Sequence, residues 1–147
     1  MANVKFSRKE FEKSVKITKE IEDKISMFGT PFESANNEEI EIEIFPNRPD
    51  LLSLQGYLRA FMPFIGKGKA KEYKTHKPQK DFQVKIDKSV KDVRPFTACA
   101  IVKNLRFNEE KIKEIIDIQE KLHLTLGRNR KKMAIGIYPL EKIKLPI

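Results

Sequence analysis

Tryptophan is absent from this chain, cysteine occurs once and histidine twice in 147 residues. One cysteine excludes an internal disulfide and leaves no thiol partner for a zinc cluster. Cys99 lies inside the apolar run of residues 96–102, so it reads as a buried small hydrophobe rather than a nucleophile. His76 and His123 form no His-x-x-x-His pair, and no metal site is expected. There is no Gly-rich phosphate loop and no Gly-x-Ser-x-Gly elbow. A Ser–His nucleophile would have to use His123, and no serine lies near it in sequence. No apolar run is long enough to span a bilayer, and no signal peptide precedes the first charged residues. With so little cysteine, a reducing cytoplasmic setting is expected.

Apolar residues make up 39% of the chain and charged residues 35%, below and above the usual shares. Ile, Leu, Val and Phe still recur at regular spacings, so a core is expected. The formal net charge of +9 is unevenly placed. Residues 1–60 hold nine basic and eleven acidic side chains; residues 61–80 hold six and one; residues 81–147 hold fifteen and nine. The positive field therefore belongs to the second half. It reads either as a surface for a phosphate-rich partner or as a lysine-rich solvated face.

Punctuation along the chain predicts the elements. Ser7-Arg8-Lys9-Glu10 has capping-box spacing and opens a short helix containing Phe11 and Val15. A second helix is predicted over residues 18–27, with Ile21 and Ile25 on one face, ended by Gly29 and Pro31. Asn36-Asn37 is a turn. Residues 39–44, EIEIEI, alternate strictly and predict a strand with one apolar and one acidic face. The segment FPNRPDLLSLQG, residues 45–56, then turns the chain into a helix over residues 51–61. Its prolines restrict the backbone, Asp50 is the expected cap, and Pro63 and Gly66 close the helix. Residues 66–80 mix glycine, proline and six lysines and read as a connector that also has the charge to touch RNA. Beyond it, strands are predicted over residues 82–86, 96–103 and 133–138, with a turn at Asp92-Val93-Arg94-Pro95 and a helix over residues 109–126 stopped by Gly127. The end at Lys144-Leu145-Pro146-Ile147 reads as a truncation.

The helix over residues 109–126 carries the candidate chemistry. At about 100° per residue, Ile112, Ile115, Ile116, Leu122 and Leu126 share one face. Gln119 and His123 fall in the middle of that face, and Glu120 on its border. A glutamine and a histidine there need partners: either the core satisfies them or they line a pocket. The run Gly127-Arg128-Asn129-Arg130-Lys131-Lys132 follows. Its cations serve the helix dipole or capture phosphate.

PNRPDLLSLQGYLRAF (residues 46–61), VRPFTACAIVKNLRF (93–107) and IDIQEKLHLTLGRNRKKMAIGIYPLEKI (116–143) occur here in one order. Together they resemble the β chain of phenylalanyl-tRNA synthetase, archaeal and eukaryotic type, as its N-terminal part. The resemblance implies an α+β fold: a small α+β domain at residues 1–65, a basic linker at 66–80, and the truncated first part of an α/β editing domain at 81–147. It implies a class II ligase subunit working with an α chain as an α2β2 heterotetramer on tRNA(Phe). ATP and Mg would be expected for the whole synthetase and none in this fragment, which alone would be inactive. The editing domain of such enzymes hydrolyses tyrosine wrongly attached to tRNA(Phe). Carried over by motif, the catalytic candidates are Gln119, Glu120 and Arg130, and the substrate or RNA contacts Arg128, Lys131 and His123. The alternative is an RNA-binding or assembly module with no catalysis of its own.

Overall fold

The computed structural model describes residues 2–70, 72–80 and 82–144. The chain is α+β, with three antiparallel strands and four α-helices among these residues. Strand β1, Ala2–Ser7, pairs with β3, Glu39–Ile44, and β2, Phe32–Ala35, lies on the other side of β3. The strict alternation of EIEIEI becomes a central strand whose isoleucines are all buried. Val4 and Phe6 lie opposite Ile42 and Ile40, so β1 extends the same apolar face. On the opposite face Lys5 meets Glu39 at 2.5 Å and Asn3 donates to Glu41 at 3.3 Å.

Helices α1 (Arg8–Glu12), α2 (Lys19–Met27) and α3 (Leu54–Phe64) contribute Phe11, Ile21, Ile25, Tyr57 and Phe61 to the core built on that sheet. Ser7 Oγ accepts from Glu10 N and Thr18 Oγ1 from Ile21 N, so both predicted helix starts are capped. Gly29 closes α2 with φ +85°, a conformation open to glycine at no steric cost. At the Asn36 turn, the side-chain oxygen accepts from Glu38 N and Glu39 N, both at 2.8 Å.

The PNRPD segment departs from expectation. Asp50 caps nothing: its carboxylate takes a two-point ion pair from Arg48 at 3.0 and 2.9 Å. That pair holds the Asp50 carboxyl below its usual range, through the hydrogen bond from Arg48 first. Pro49–Leu51 is a short 3-10 turn, and α3 starts later, with Ser53 Oγ accepting from Gly56 N at 3.0 Å. A proline-set turn followed by a serine cap is the cheaper local solution, because Ser53 stands three residues before a free N–H at Gly56. A Cβ on Gly56 would lie 2.0 Å from the Asp50 carbonyl oxygen. Glycine is what lets the helix press against the turn.

The strands predicted over residues 82–86, 96–103 and 133–138 do not form. Alternation marks a face, but a strand also needs a neighbour for its N–H and C=O groups, and none stands beside these segments among the described residues. Cys99, expected to be buried, is exposed for the same reason, and Phe96 is 92% exposed. A 3-10 turn at Lys88–Val90 precedes the predicted turn around Asp92, with Arg94 N donating to Val90 O. Residues 66–80 hold no strand and, past α3, no helix where they are described. Residues 145–147 of the apolar ending lie outside the described residues. The chain divides into two compact units, residues 1–72 with 108–135, and residues 73–107 with 136–147. This grouping puts the long helix α4, Glu109–Leu124, with the N-terminal sheet and divides the expected linker, 66–80, between the two units.

Candidate functional site

Helix α4 starts at Asn108, whose side chain accepts from Lys111 N at 2.9 Å. Its predicted apolar face is real as a stripe but mostly uncovered. Leu122 packs against the N-terminal core, and Ile112 and Ile116 are exposed. Gln55 at the start of α3 donates to Glu114 at 2.9 Å.

At the other end the basic run folds back on the helix. Gly127 N donates to Leu122 O, Arg130 N to His123 O and Lys132 N to Gly127 O. Arg128, Asn129 and Arg130 all have positive φ, 49°, 55° and 62°. Three consecutive left-handed residues with side chains are strained, on the order of 1–3 kcal/mol each. The segment is a tight left-handed turn. It closes only because residue 127 is glycine, since a Cβ there would sit 2.7 Å from His123 O and 2.9 Å from Met133 O.

This turn brings four of the predicted residues together. Glu120 takes an ion pair from Arg130. His123, 4% exposed, lies beneath them. Its Nε2 accepts from Ile135 N at 2.8 Å, so the neutral ring carries its proton on Nδ1. Nδ1 then faces Glu120 Oε1 at 3.5 Å, and its 3.1 Å approach to Arg130 Nε sets two donors side by side. The Glu120 carboxylate, paired with Arg130 Nη2, lies beside both. Gln119 donates through Nε2 to Ile135 O at 2.5 Å. Backbone at Ile135 therefore satisfies both polar residues of the apolar stripe, one through its N–H and one through its C=O. Replacing His123 by leucine strands the Ile135 N–H, and a loss of about 1–3 kcal/mol is expected in urea unfolding.

Arg128 stands apart from this cluster. Together with Lys132 it borders a groove of about 360 Å³ between the end of α4 and the start of the PNRPD turn, with Ile44, Phe45, Pro46 and Leu126 in its walls. Gln119, Glu120, His123 and Arg130 do not line that groove. Lys131 is exposed, on the same turn. The groove was missed by sequence reasoning, because the left-handed turn that sends Lys132 back to Gly127 has no glycine at its three positive-φ positions to announce it. No described cluster of His, Cys, Asp or Glu could hold a metal ion, and no described helix is long and apolar enough to cross a membrane.

Comparison with known proteins bears on this geometry. The chain is 38% identical over 125 residues to the phenylalanine–tRNA ligase β subunit of Archaeoglobus fulgidus, which is 84% of this chain and 22% of the relative. It is 36% identical over 149 residues to that of Methanothrix thermoacetophila, 99% of this chain and 27% of the relative. Among solved structures, an N-terminal fragment of the phenylalanyl-tRNA synthetase β-subunit from Pyrococcus horikoshii matches 99% of the chain and 44% of that fragment, with a TM-score of 0.80 and 30% identity. The chain is homologous to the N-terminal region of phenylalanine–tRNA ligase β subunits. No protein-family model matches it. It spans about a quarter of the length of these β subunits. The β-subunit resemblance carried by the PNRPD, RPF and GRNRKK blocks thus extends over nearly the whole chain, including the strands β1 and β2 that no motif marked.

Proposed function

We propose that the chain acts as the N-terminal part of a phenylalanine–tRNA ligase β subunit, and that α4 with its basic turn forms one wall of a site that hydrolyses tyrosine wrongly joined to tRNA(Phe). The observation that carries the second half is the Gln119, Glu120, His123 and Arg130 cluster, in which every side chain is held by a partner. A pocket selective for phenylalanine rejects an analogue with one added hydroxyl only about 10²-fold. A second site that hydrogen-bonds that hydroxyl discriminates far more strongly. Hydrolysis of the ester there needs a positioned water and donors for the developing oxyanion.

The roles follow from the bonds already made. The Gln119 amide is anchored through Nε2 to Ile135 O, which fixes its Oε1 as an acceptor to orient water or the ester. Glu120 is a positioning residue that holds the Arg130 guanidinium, and Arg130 meets the terminal adenosine or its phosphate. His123 supports both from below and Lys131 adds a phosphate contact, while Arg128 meets RNA outside the cluster, at the neighbouring groove. Assembly with an α chain into an α2β2 heterotetramer of class II type, action on tRNA(Phe) and a cytoplasmic setting belong to the same reading, as does the division into a domain at 1–65, a linker at 66–80 and an editing domain beginning at 81. On the same reading ATP and Mg are bound by the α chain, and this chain alone would have no ligase activity.

In the assembled synthetase, Gln119→Ala and Arg130→Ala are expected to slow deacylation of Tyr-tRNA(Phe) by about 10²-fold and to leave phenylalanine charging unchanged. Unaltered deacylation in both variants rejects the reading. The alternative, an RNA-binding or assembly module, gains from the fact that Gln119 and Arg130 are already engaged within the chain. It predicts salt-sensitive binding equal for tRNA(Phe) and unrelated stems.

A further inference from the structure

We infer that the groove between the PNRPD turn and the end of α4 is a separate seat for one unpaired nucleotide of RNA, with the base against Phe45, Pro46 and Leu126 and the phosphate beside Arg128 and Lys132. The inference rests on the proposed function only for the kind of partner. Its volume of about 360 Å³ falls at the small end of pockets that hold ligands, roughly 300–1,000 Å³.

Charge and chemistry select the occupant. The two groove cations are exposed, and unlike Arg130 neither makes a side-chain hydrogen bond or ion pair among the described residues. Both line the groove together with apolar residues. A flat base on an apolar surface with its phosphate beside an arginine and a lysine is the arrangement single-stranded nucleic acid requires. A paired stem offers phosphates but hides its bases, so it fills only the rim. Arg128 has φ 49°, a strain that glycine would relieve.

The test uses the 147-residue chain and a fluorescently labelled six-nucleotide oligoadenylate, followed by anisotropy over a salt series. Arg128→Ala and Lys132→Ala are each expected to weaken binding about five- to tenfold and to lower the slope of log affinity against log salt by about 0.7. Phe45→Ala is expected to weaken binding about tenfold at unchanged slope. Arg128→Gly separates the groove from a structural role: it should raise resistance to urea yet bind as poorly as Arg128→Ala. Lys74→Ala and Lys77→Ala in the basic connector should bind like the parent. The inference is overturned if the oligonucleotide does not bind at low salt, if a blunt duplex binds equally well, or if the connector variants lose as much as the groove variants. These readouts do not involve Gln119 or Arg130, so loss of the editing role and loss of the groove are seen separately.

Discussion

Gly56→Ala is expected to destabilise the chain by about 3 kcal/mol or more, although alanine is the better helix former. Position 56 lies in the first turn of α3, and propensity alone predicts a gain of about 1 kcal/mol from the change. Against that stands the Asp50 carbonyl oxygen, 2.0 Å from where the new methyl group would be, with Ser53 Oγ at 2.9 Å. The Asp50 obstacle is backbone held by two prolines and by the Arg48–Asp50 ion pair, so it does not swing aside as a side chain would. Relief requires α3 to lift away from the turn. The residues that would lose contact are fully or almost fully buried: Leu51, Leu52, Tyr57 and Phe61. Forced overpacking costs about 1–3 kcal/mol even where neighbours can yield. Urea unfolding of the variant against the parent decides the matter. A variant as stable as the parent would show that the approach of helix to turn is not tight. Ser53→Ala, which removes only the cap, should cost about 1 kcal/mol and so calibrates the comparison.

The same turn shows how far the residues alone can be read. Two prolines, Asn47 and Asp50 announced a break and a helix start, but the expected cap, Asp50, is not the one used. Asp50 and Ser53 are both good caps, and the choice is made by Arg48, whose guanidinium lies 5.4 Å from the Phe28 ring centroid and draws Asp50 to itself. That contact joins residues far apart in sequence. Strand β3 was legible because three isoleucines alternate with three glutamates. Strand β1 held the same signal over only Val4, Lys5 and Phe6, and β2 has a single large apolar residue, Phe32, so neither alternation was long enough to see. The opposite error occurred at residues 96–103. Their composition suits a buried strand, yet burial depends on a neighbour that composition does not supply. Within the candidate site, the placement of Gln119 and His123 in an apolar stripe was legible, and the need for partners with it. That both partners are the backbone of one residue, Ile135, was not, because it depends on three left-handed residues in a run with no glycine among them.

Alkaline pH is expected to unfold this chain through Tyr57. The ring is fully buried among Phe6, Phe11, Phe28 and Phe61, with no charged group among those ring contacts. Its hydroxyl donates to Thr30 Oγ1 at 2.8 Å, and that oxygen's own proton goes to Ile25 O at 2.9 Å. Burial therefore pushes the Tyr57 phenol far above its usual range, and the contact with Thr30 offsets little of it. A group whose pKa is raised by folding contributes stability that is complete below its unfolded pKa, here about 10, and that is lost as pH rises through the folded value. Above about pH 10 the unfolded chain gives up the proton and the folded chain keeps it. Stability should then fall by up to about 1.4 kcal/mol per pH unit from this side chain. Lys5 and Lys19, raised by their acidic neighbours, act in the same direction, so the comparison must be with Tyr57→Phe. At neutral pH that variant loses the bond to Thr30, worth about 1 kcal/mol, and leaves no orphaned donor, because Thr30 still has Ile25 O. It also loses the alkaline penalty. The parent should be the more stable of the two at pH 8 and the less stable at pH 12, with the urea midpoints crossing near pH 11. Parallel pH profiles for the two proteins would mean that the phenol reaches water in the folded state, and the aromatic cluster around it would have to be more open than its ring spacings of 5.5–6.2 Å indicate.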